Sequence, residues 1–350
     1  MSRALVTGGA GFIGTNLSAR LVRDGLEVVV LDNLSRPGSE RNLRFLADTC
    51  GAAVRFERGD VRDCDAVRRA LVGVDRVFHL AAQVAVTKSL AEPLDDFDVN
   101  LRGTLTLLEE LRRLDQPPFL LFTSTNKVYG ALPDLPLDRQ DGRWLPSDAT
   151  LCARGLSEER RLDFCTPYGC SKGAADQYVL DYAKSYGLPA VVFRMSCIYG
   201  PHQNGTEDQG WVAHFAIRLL AGLPITVYGD GAQVRDLLFV DDLVAAMRLA
   251  HEHAGGVSGT GFTMGGGPEN AASLLEVLEL IGELHGRQPE FVFAEPRAGD
   301  QRYYVADTRR FHDATGWRPL VDVRDGVEQL YRWLAAHHAR AAGRPKAVVG

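Results

Sequence analysis

Gly8-Gly9-Ala10-Gly11-Phe12-Ile13-Gly14 is the stretch on which the reading of this chain turns. It holds two overlapping patterns, GxGxxG through Gly9, Gly11 and Gly14, and GxxGxxG through Gly8, Gly11 and Gly14. A short apolar run, Ala4–Thr7, precedes it and a helical pattern, Phe12–Arg23, follows. Glycine lets the chain turn tightly between the two and lets a pyrophosphate approach the amides at a helix N-terminus. A bare glycine turn can be purely structural. Between a strand and a helix it predicts a dinucleotide site.

The same rhythm continues outward. Glu27–Leu31, Val54–Glu57, Arg76–His79, Phe119–Thr123 and Ala190–Phe193 read as further strands, short, rich in β-branched residues and mostly flanked by Gly, Pro or Asp. Asp63–Leu71, Leu94–Leu114 and Tyr168–Tyr186 read as helices. Alternation of this kind predicts an α/β fold with a doubly wound parallel sheet. Leu132–Thr166 is polar and weakly periodic, and reads as a long loop with a short helix, of a length that suits a cover over a site. After Tyr199-Gly200-Pro201 the rhythm changes. Helical patterns (Trp211–Ala221, Leu274–His285, Val327–His338) mix with isolated strands (Thr226–Tyr228, Gly261–Met264, Glu290–Phe293), which predicts a smaller C-terminal lobe over the carboxyl edge of the sheet. Ala341–Gly350 reads as a frayed tail.

Composition narrows the class. The 350 residues are 45% hydrophobic and 24% charged, ordinary values for a globular protein with a full core. A net charge of −6 gives no general affinity for nucleic acid. The longest apolar runs, Leu26–Leu31 and Val240–Leu249, are too short to span a membrane. The opening strand and glycine turn leave no room for a signal peptide, so a cytoplasmic protein is expected. Six cysteines (Cys50, Cys64, Cys152, Cys165, Cys170, Cys197) form no CxxC pair and no His/Cys metal spacing. Reduced thiols and no metal are expected.

Chemistry-bearing residues fall at the predicted strand ends. Asp32 ends the second strand at the distance of a carboxylate that holds an adenosine ribose, which favours NAD over NADP. Arg36 nearby could instead accept a 2′-phosphate. Gly59-Asp60-Val61 ends the third strand, where an adenine would lie. His79-Leu80-Ala81-Ala82-Gln83 ends the fourth, and its alanines let the backbone pass close to a dinucleotide. His79 reads as a structural residue. Thr123-Ser124-Thr125-Asn126-Lys127 ends the fifth strand, at the edge where open α/β sheets bind ligands.

Tyr168 and Lys172, in Thr166-Pro167-Tyr168-Gly169-Cys170-Ser171-Lys172, stand four residues apart and so share one helix face. Unplaced, such a pair is most often solvated decoration. Beside a dinucleotide site it predicts a phenol that removes a hydroxyl proton. Its pKa must then fall by roughly 3 from about 10. The Lys172 ammonium, with a cofactor's positive ring, could supply that pull. Thr125 would hydrogen-bond the substrate hydroxyl, and Lys172 would hold the nicotinamide ribose.

These motifs together resemble the extended short-chain dehydrogenase/reductase family of nucleotide-sugar epimerases and dehydratases. The likeness spans nearly the whole chain: the glycine turn, His79-Leu80-Ala81-Ala82, Thr125/Tyr168/Lys172, Tyr199-Gly200-Pro201, Tyr228-Gly229-Asp230-Gly231, Arg235-Asp236 and Arg297-Ala298-Gly299-Asp300. The resemblance implies a Rossmann-type NAD-binding domain over 1–195, with a strand and helix near 233–252 returning to it. It implies a nucleotide-sugar lobe over 196–232 and 253–340. Catalysis would fall to Thr125, Tyr168 and Lys172. NAD would be held by Gly8, Gly11, Phe12, Ile13, Gly14, Asp32, Asn33, Ser35, Arg36, Asp60, Val61, Leu80, Ala81, Ala82, Gln83, Asn100 and Thr123, with Tyr168 and Lys172. The sugar nucleotide would meet Gln83, Thr125, Asn126, Lys127, Cys197, Gln209, Tyr228, Arg235 and Arg297, the two arginines gripping the diphosphate bidentately. Trp211 reads equally well as core.

Ser124-Thr125-Asn126-Lys127-Val128-Tyr129-Gly130, Gln83-Val84-Ala85 and Asp208-Gln209-Gly210-Trp211-Val212 resemble the branch of the family that inverts carbon 2 of a CDP-linked sugar. A dehydratase of the family typically carries Asp-Glu after the threonine, and here Asn126-Lys127 stand there. A 4-epimerase usually has Asn before Tyr-Gly-Pro, and here Cys197-Ile198 stand there. A 4-epimerase is the runner-up reading, a 4,6-dehydratase comes after it and a non-enzymatic NAD-binding protein last. By the same resemblance, Leu94–Leu114 and Tyr168–Tyr186 would build a homodimer interface.

Overall fold

The computed structural model describes residues 2–342, with side chains as far as His337. The tail expected over 341–350 lies, beyond Ala342, outside them. Seven strands form the central sheet: β1 (Arg3–Thr7), β2 (Glu27–Asp32), β3 (Val54–Arg58), β4 (Arg76–His79), β5 (Phe119–Thr125), β6 (Ala190–Met195) and β7 (Thr260–Met264). Their order is β7-β6-β5-β4-β1-β2-β3 and every neighbouring pair is parallel. The order reverses between β1 and β4, so a crevice opens beyond their carboxyl ends.

Side-chain alternation along the strands builds two apolar layers. Leu5, Val29, Val77, Leu120 and Phe122 face the helices Cys64–Ala70, Gly103–Arg112 and Thr166–Tyr186. Ala4, Val6, Val28, Val30, Phe78 and Leu121 face Phe12–Arg23 and Val240–Glu252. Each fully buried Leu, Val or Phe is worth about 1.5–3 kcal/mol. Both faces are covered, which is why these strands read as near-continuous apolar runs.

Four sequence expectations need correction. The strand expected over Gly261–Met264 in the smaller lobe is β7, the edge of the central sheet, in register with β6 through Gly261 and Val192. Phe262 and Met264 are buried there. The segment expected to return near 233–252 reaches the central core through Leu238 and the helix Val240–Glu252. Its strand, Val234–Phe239, pairs instead with Cys197–Tyr199, Ala271–Ser273 and Tyr303–Tyr304. The single helix expected over Leu94–Leu114 is broken into Pro93–Phe97, a π-type turn Asp98–Arg102, and Gly103–Arg112. Such wide turns concentrate at functional sites. The long loop Leu132–Thr166 contains the short helix expected, Ala149–Arg154, but also a hairpin of Leu137–Gln140 and Arg143–Pro146. Asp141 and Gly142 close the hairpin with φ of +47° and +79°, the pair of positive φ values that a two-residue hairpin needs.

The second body of structure packs Val212, Phe215, Ile225, Val227, Leu237, Phe239, Ile281 and Leu330 into its own core. Ile225–Tyr228 pairs there with Phe291–Ala294. Its loops run over the carboxyl edge of the sheet. Gly299 illustrates the closeness: a Cβ on it would lie 2.9 Å from Thr166 Cγ2 and 3.4 Å from Cys165 Sγ.

Candidate active site

The glycine turn closes against the end of β4. Gly8 has φ of +68°, and a Cβ there would come within 2.8 Å of the Ala81 amide nitrogen. A Cβ on Gly14 would lie 2.4 Å from the Gly8 carbonyl oxygen. Only glycine fits either position, so β1, the following helix and the Leu80-Ala81-Ala82 backbone pack as one cradle. The helix Phe12–Arg23 starts at Gly11 with no side chain capping its amides, which leaves them to an anion. Phe12 and Ile13 lean on the apolar core and fix the angle of the helix.

Asp32 lies at the rim of this cradle. Its carboxylate accepts from the Ala10 amide at 3.0 Å and the Leu34 amide at 2.8 Å. Burial raises its pKa against the pull of those two amides. Leu34 takes φ of +57°, a costly conformation for leucine held by the bond to Asp32. Asn33 donates to Asp60 at 2.9 Å and accepts from the Ser35 amide at 3.0 Å. Asp60 is gripped by Arg62, which holds its pKa down at about 2, with Asn33 assisting. Val61 is buried beside it. Asp60 is thus a staple between the ends of β2 and β3. Arg36 is engaged elsewhere: its Nη2 donates to Gln209 Oε1 at 3.1 Å.

At the ends of β4 and β5 several expected contact residues are engaged internally. The Thr123 hydroxyl donates to the His79 carbonyl at 3.0 Å. His79 is buried between Thr7 at 2.7 Å and Thr104 at 3.1 Å. Burial, with Lys172 nearby, pushes its pKa to about 3, so it is neutral. Gln83 and Asn100 grip one another, Gln83 N to Asn100 Oδ1 at 2.8 Å and Asn100 Nδ2 to Gln83 O at 3.0 Å. The Gln83 side chain also binds the Ala85 backbone and Asp96. Both residues therefore support the groove wall with their polar groups turned inward.

Thr125, Tyr168 and Lys172 come together here, at 7%, 8% and 3% exposure. The helix carrying the last two starts at Thr166, whose φ of +63° is rare outside glycine, and Pro167 opens its first turn. The Tyr168 amide donates to Ser89 Oγ at 3.2 Å. The expected fall in the Tyr168 pKa is not what the surroundings produce. Burial pushes it up to about 12, with the Thr125 hydroxyl and then Arg36 pulling the other way. Lys172 also suffers from burial, which lowers it to about 7 against the pull of Asp176 and Asp96. Its Nζ sits 4.1 Å from the centre of the Phe122 ring, a cation–π contact that suits a dry pocket.

Facing this triad are the residues expected to meet a sugar nucleotide. Lys127 Nζ donates to the Gly299 carbonyl at 3.2 Å and lies 3.6 Å from Asp300. Burial lowers its pKa, and Asp300 opposes that. Arg235 binds the same Asp300 at 2.6 Å and reaches the Gln301 carbonyl. Asn126 Nδ2 donates to Gln301 Oε1 at 3.2 Å. Arg297 lies 3.9 Å over the Tyr228 ring and 3.5 Å from Asp208. The Tyr228 hydroxyl donates to Glu207 at 2.8 Å. Cys197 receives the Trp211 indole N–H at 3.0 Å, and burial raises its thiol. Asp300, Gln301, Asp96 and Ser171 are the residues of this neighbourhood that sequence reasoning did not single out by role. Their signals were faint: Asp300 and Ser171 lie in motifs quoted for other residues, and Gln301 and Asp96 lie in none.

Among the described residues no group of His, Cys, Asp and Glu could hold a metal ion, and no helix is long and apolar enough to cross a membrane.

Comparison with known proteins places this architecture. The family model described as NAD dependent epimerase/dehydratase matches residues 4–265. The chain is 40% identical over 341 residues to a CDP-paratose 2-epimerase of Salmonella typhi, covering 95% of this chain and 99% of that protein. The crystal structure of a UDP-glucose 4-epimerase of Thermus thermophilus in complex with NAD aligns with a TM-score of 0.78 at 34% identity, over 95% of this chain and 98% of that one. A dTDP-glucose 4,6-dehydratase of Streptomyces venezuelae with NAD bound aligns with a TM-score of 0.81 at 29% identity, over 97% and 98% of the two chains. With a glycine cradle shaped for a dinucleotide, and with likeness running through both halves of the molecule, the chain belongs to the NAD dependent epimerase/dehydratase family.

Proposed function

We propose that this enzyme inverts carbon 2 of a CDP-linked sugar. The observation that carries the reading is the end-to-end likeness, 40% identity over 95% of the chain, to a CDP-paratose 2-epimerase. The site agrees in one respect. Beside Thr125 stand Asn126 and Lys127, whose side chains turn toward Gln301, the Gly299 carbonyl and the Asp300 carboxylate. No acid–base pair for expelling water stands beside the threonine.

The cradle fits NAD, since Gly8 and Gly14 leave room for backbone approach and Asp32 stands at the ribose rim. Bound NAD would supply the redox chemistry, reversible hydride transfer from and to the sugar carbon. The chain's own residues handle protons and position. Thr125 Oγ1 orients the sugar hydroxyl, and Tyr168 Oη takes its proton and later returns it. A phenol held at about 12 yields tyrosinate less readily than a free tyrosine, by about 3 kcal/mol. The Lys172 ammonium and the charge of the loaded cofactor must therefore lower it. Arg235 and Arg297 take the diphosphate, exchanging Asp300 and Asp208 for phosphate oxygens. Gln209 and Tyr228 flank the nucleotide.

On this reading NAD binding belongs to residues 1–195 with helix 240–252 and β7, and sugar-nucleotide binding to most of 196–239 and 265–340. Leu90, Leu94, Phe97 and Tyr178 expose apolar side chains at 50%, 80%, 47% and 43%, which supports pairing of two copies through this face. A cytoplasmic setting follows from the soluble nucleotide-sugar substrate.

The test is turnover of CDP-paratose followed by proton NMR, in ordinary and deuterated water. Inversion at carbon 2 without solvent deuterium on carbon is the expected result. Conversion of UDP-glucose at carbon 4, with CDP-paratose untouched, would replace this reading with a 4-epimerase. Deuterium at carbon 5 would indicate dehydration instead.

A further inference from the structure

Beneath the Tyr168–Lys172 turn lies a carboxylate with no cation of its own. Asp96 is 1% exposed. Its Oδ1 accepts from Gln83 Nε2 at 2.8 Å and from Asn100 Nδ2 at 3.1 Å, and its Oδ2 accepts from the Ser171 hydroxyl. Ser171 Oγ also receives Asn100 Nδ2 at 3.0 Å and lies 3.2 Å from the Tyr168 carbonyl. The preceding residue, Asp95, pairs with Arg62 and Lys88 at the surface. Among the described residues Asp96 has no such partner.

Taking a charge out of water is costly, and buried carboxylates are usually paired with a cation. A serine or an asparagine could tie these elements together at lower cost, so the charge calls for a reason. The hydrogen-bond partner of Asp96, Ser171, is followed directly by Lys172, the cation whose charge Asp96 favours. Around Lys172 stand the Phe122 ring, the neutral His79, Asp176 and Asp96. Asp176 is already held in a bidentate pair by Arg194, at 2.9 and 3.0 Å. Asp96 is the carboxylate left over.

We propose that Asp96 is a positioning residue, which pins the first turn of the Tyr168 helix through Ser171 and acts as the counter-charge of the Lys172 ammonium in a dry site. The inference rests on Tyr168 and Lys172 being the catalytic pair. It also accounts for the inward turn of Gln83 and Asn100, whose amides hold Asp96 in place. Asp96 raises the pKa of Lys172 and of Tyr168 alike, so removing its charge moves both midpoints down. Tyr168 is faced in addition by Thr125 and Arg36.

The chain has five lysines, Lys88, Lys127, Lys172, Lys184 and Lys346, so the NAD-loaded protein labelled with lysine carrying ¹³C at Cε gives few signals, and Lys172→Met assigns the one of interest. In Asp96→Asn the Lys172 midpoint is expected to fall by about half a pH unit or more. A midpoint within about 0.2 pH unit of wild type would overturn the counter-charge role. Asp96→Ser, smaller and neutral, gives the same reading if the asparagine variant does not fold. Ser171→Ala separates the pinning role: the Lys172 midpoint stays while kcat falls about threefold or more, with KM unchanged. An unaltered kcat would overturn the pinning. The midpoint needs no substrate. A protein that shows the Asp96 effect but leaves every CDP-sugar untouched breaks the proposed function and keeps this inference.

Discussion

The two walls of the groove are made of different material. The cofactor wall is backbone: glycines at 8 and 14 whose missing Cβ atoms define the fit, alanines at 81 and 82, and a carboxylate at 32 clamped by two amides. The facing wall is charged side chains, each held by a nearby acid or ring: Arg235 by Asp300, Lys127 by Asp300, Arg297 by Asp208 and Tyr228. Backbone tolerates no substitution, whereas exchangeable ion pairs can release one anion and accept another. On the proposed function, the difference would let the cofactor stay bound through a catalytic cycle while the sugar nucleotide comes and goes.

The largest effect should come from the backbone wall. Gly8→Val puts a β-branched side chain at φ of +68° against the Ala81 backbone. The purified protein is expected to carry no NAD, as read by extraction and absorbance, and to lose about 2 kcal/mol or more of stability. Retention of NAD at wild-type occupancy would show that the cradle is softer than its distances indicate. Next comes Tyr168→Phe, which removes the proposed proton carrier and leaves both walls standing. Turnover is expected to drop by about 10³-fold with NAD content unchanged. Near-full turnover would end the assignment of Tyr168.

Arg297→Ala touches only the side-chain wall. KM for the sugar nucleotide is expected to rise by about 10–100-fold, with NAD content unaffected. A fall in NAD content instead would mean that the two walls are not independent. Smallest is the pH effect at Lys172. Burial lowers its pKa from 10.5 to about 7, so the folded protein holds that proton less tightly than the unfolded chain. Wild-type stability therefore gains as pH rises from about 7 toward about 10.5, where both states become neutral at this group. Lys172→Met, inactive, is expected to melt roughly 2–4 °C above wild type at pH 7. The gap should narrow toward pH 10, and a gap that does not change with pH would show that Lys172 is not the group responsible.

The sequence was legible where backbone does the work. Close approach of Gly8 to Ala81 can be met by one residue type at a fixed place, so the glycine spacing announces it, and strand-end Asp32 and Thr125 follow from period and order. The Tyr168–Lys172 spacing was readable too, but not its electrostatics. Burial, a tertiary property, opposes the expected fall at the phenol. Gln83 and Asn100 looked like ligand contacts because they stand at the groove, yet their polar groups close on each other and on Asp96. Asp300 escaped a role because its partners Lys127 and Arg235 lie far away in sequence. β7 was placed in the wrong body since a run as short and mixed as Gly261-Phe262-Thr263-Met264 carries no mark of the sheet it will join.

That edge strand has a bearing on how the chain is made. β6 is complete at Met195, but its outer neighbour, Thr260–Met264, follows about 65 residues later, after an excursion through the second body. At ribosomal rates of ~5–20 residues per second, the nascent sheet presents β6 as a bare edge for several seconds. Ala190-Val191-Val192-Phe193 is an apolar, β-prone run of the kind that recruits foreign strands. The bare edge sits three strands away from β1 and its glycine turn, and any fragment ending before residue 260 should aggregate through β6 even though its glycine cradle has been synthesised.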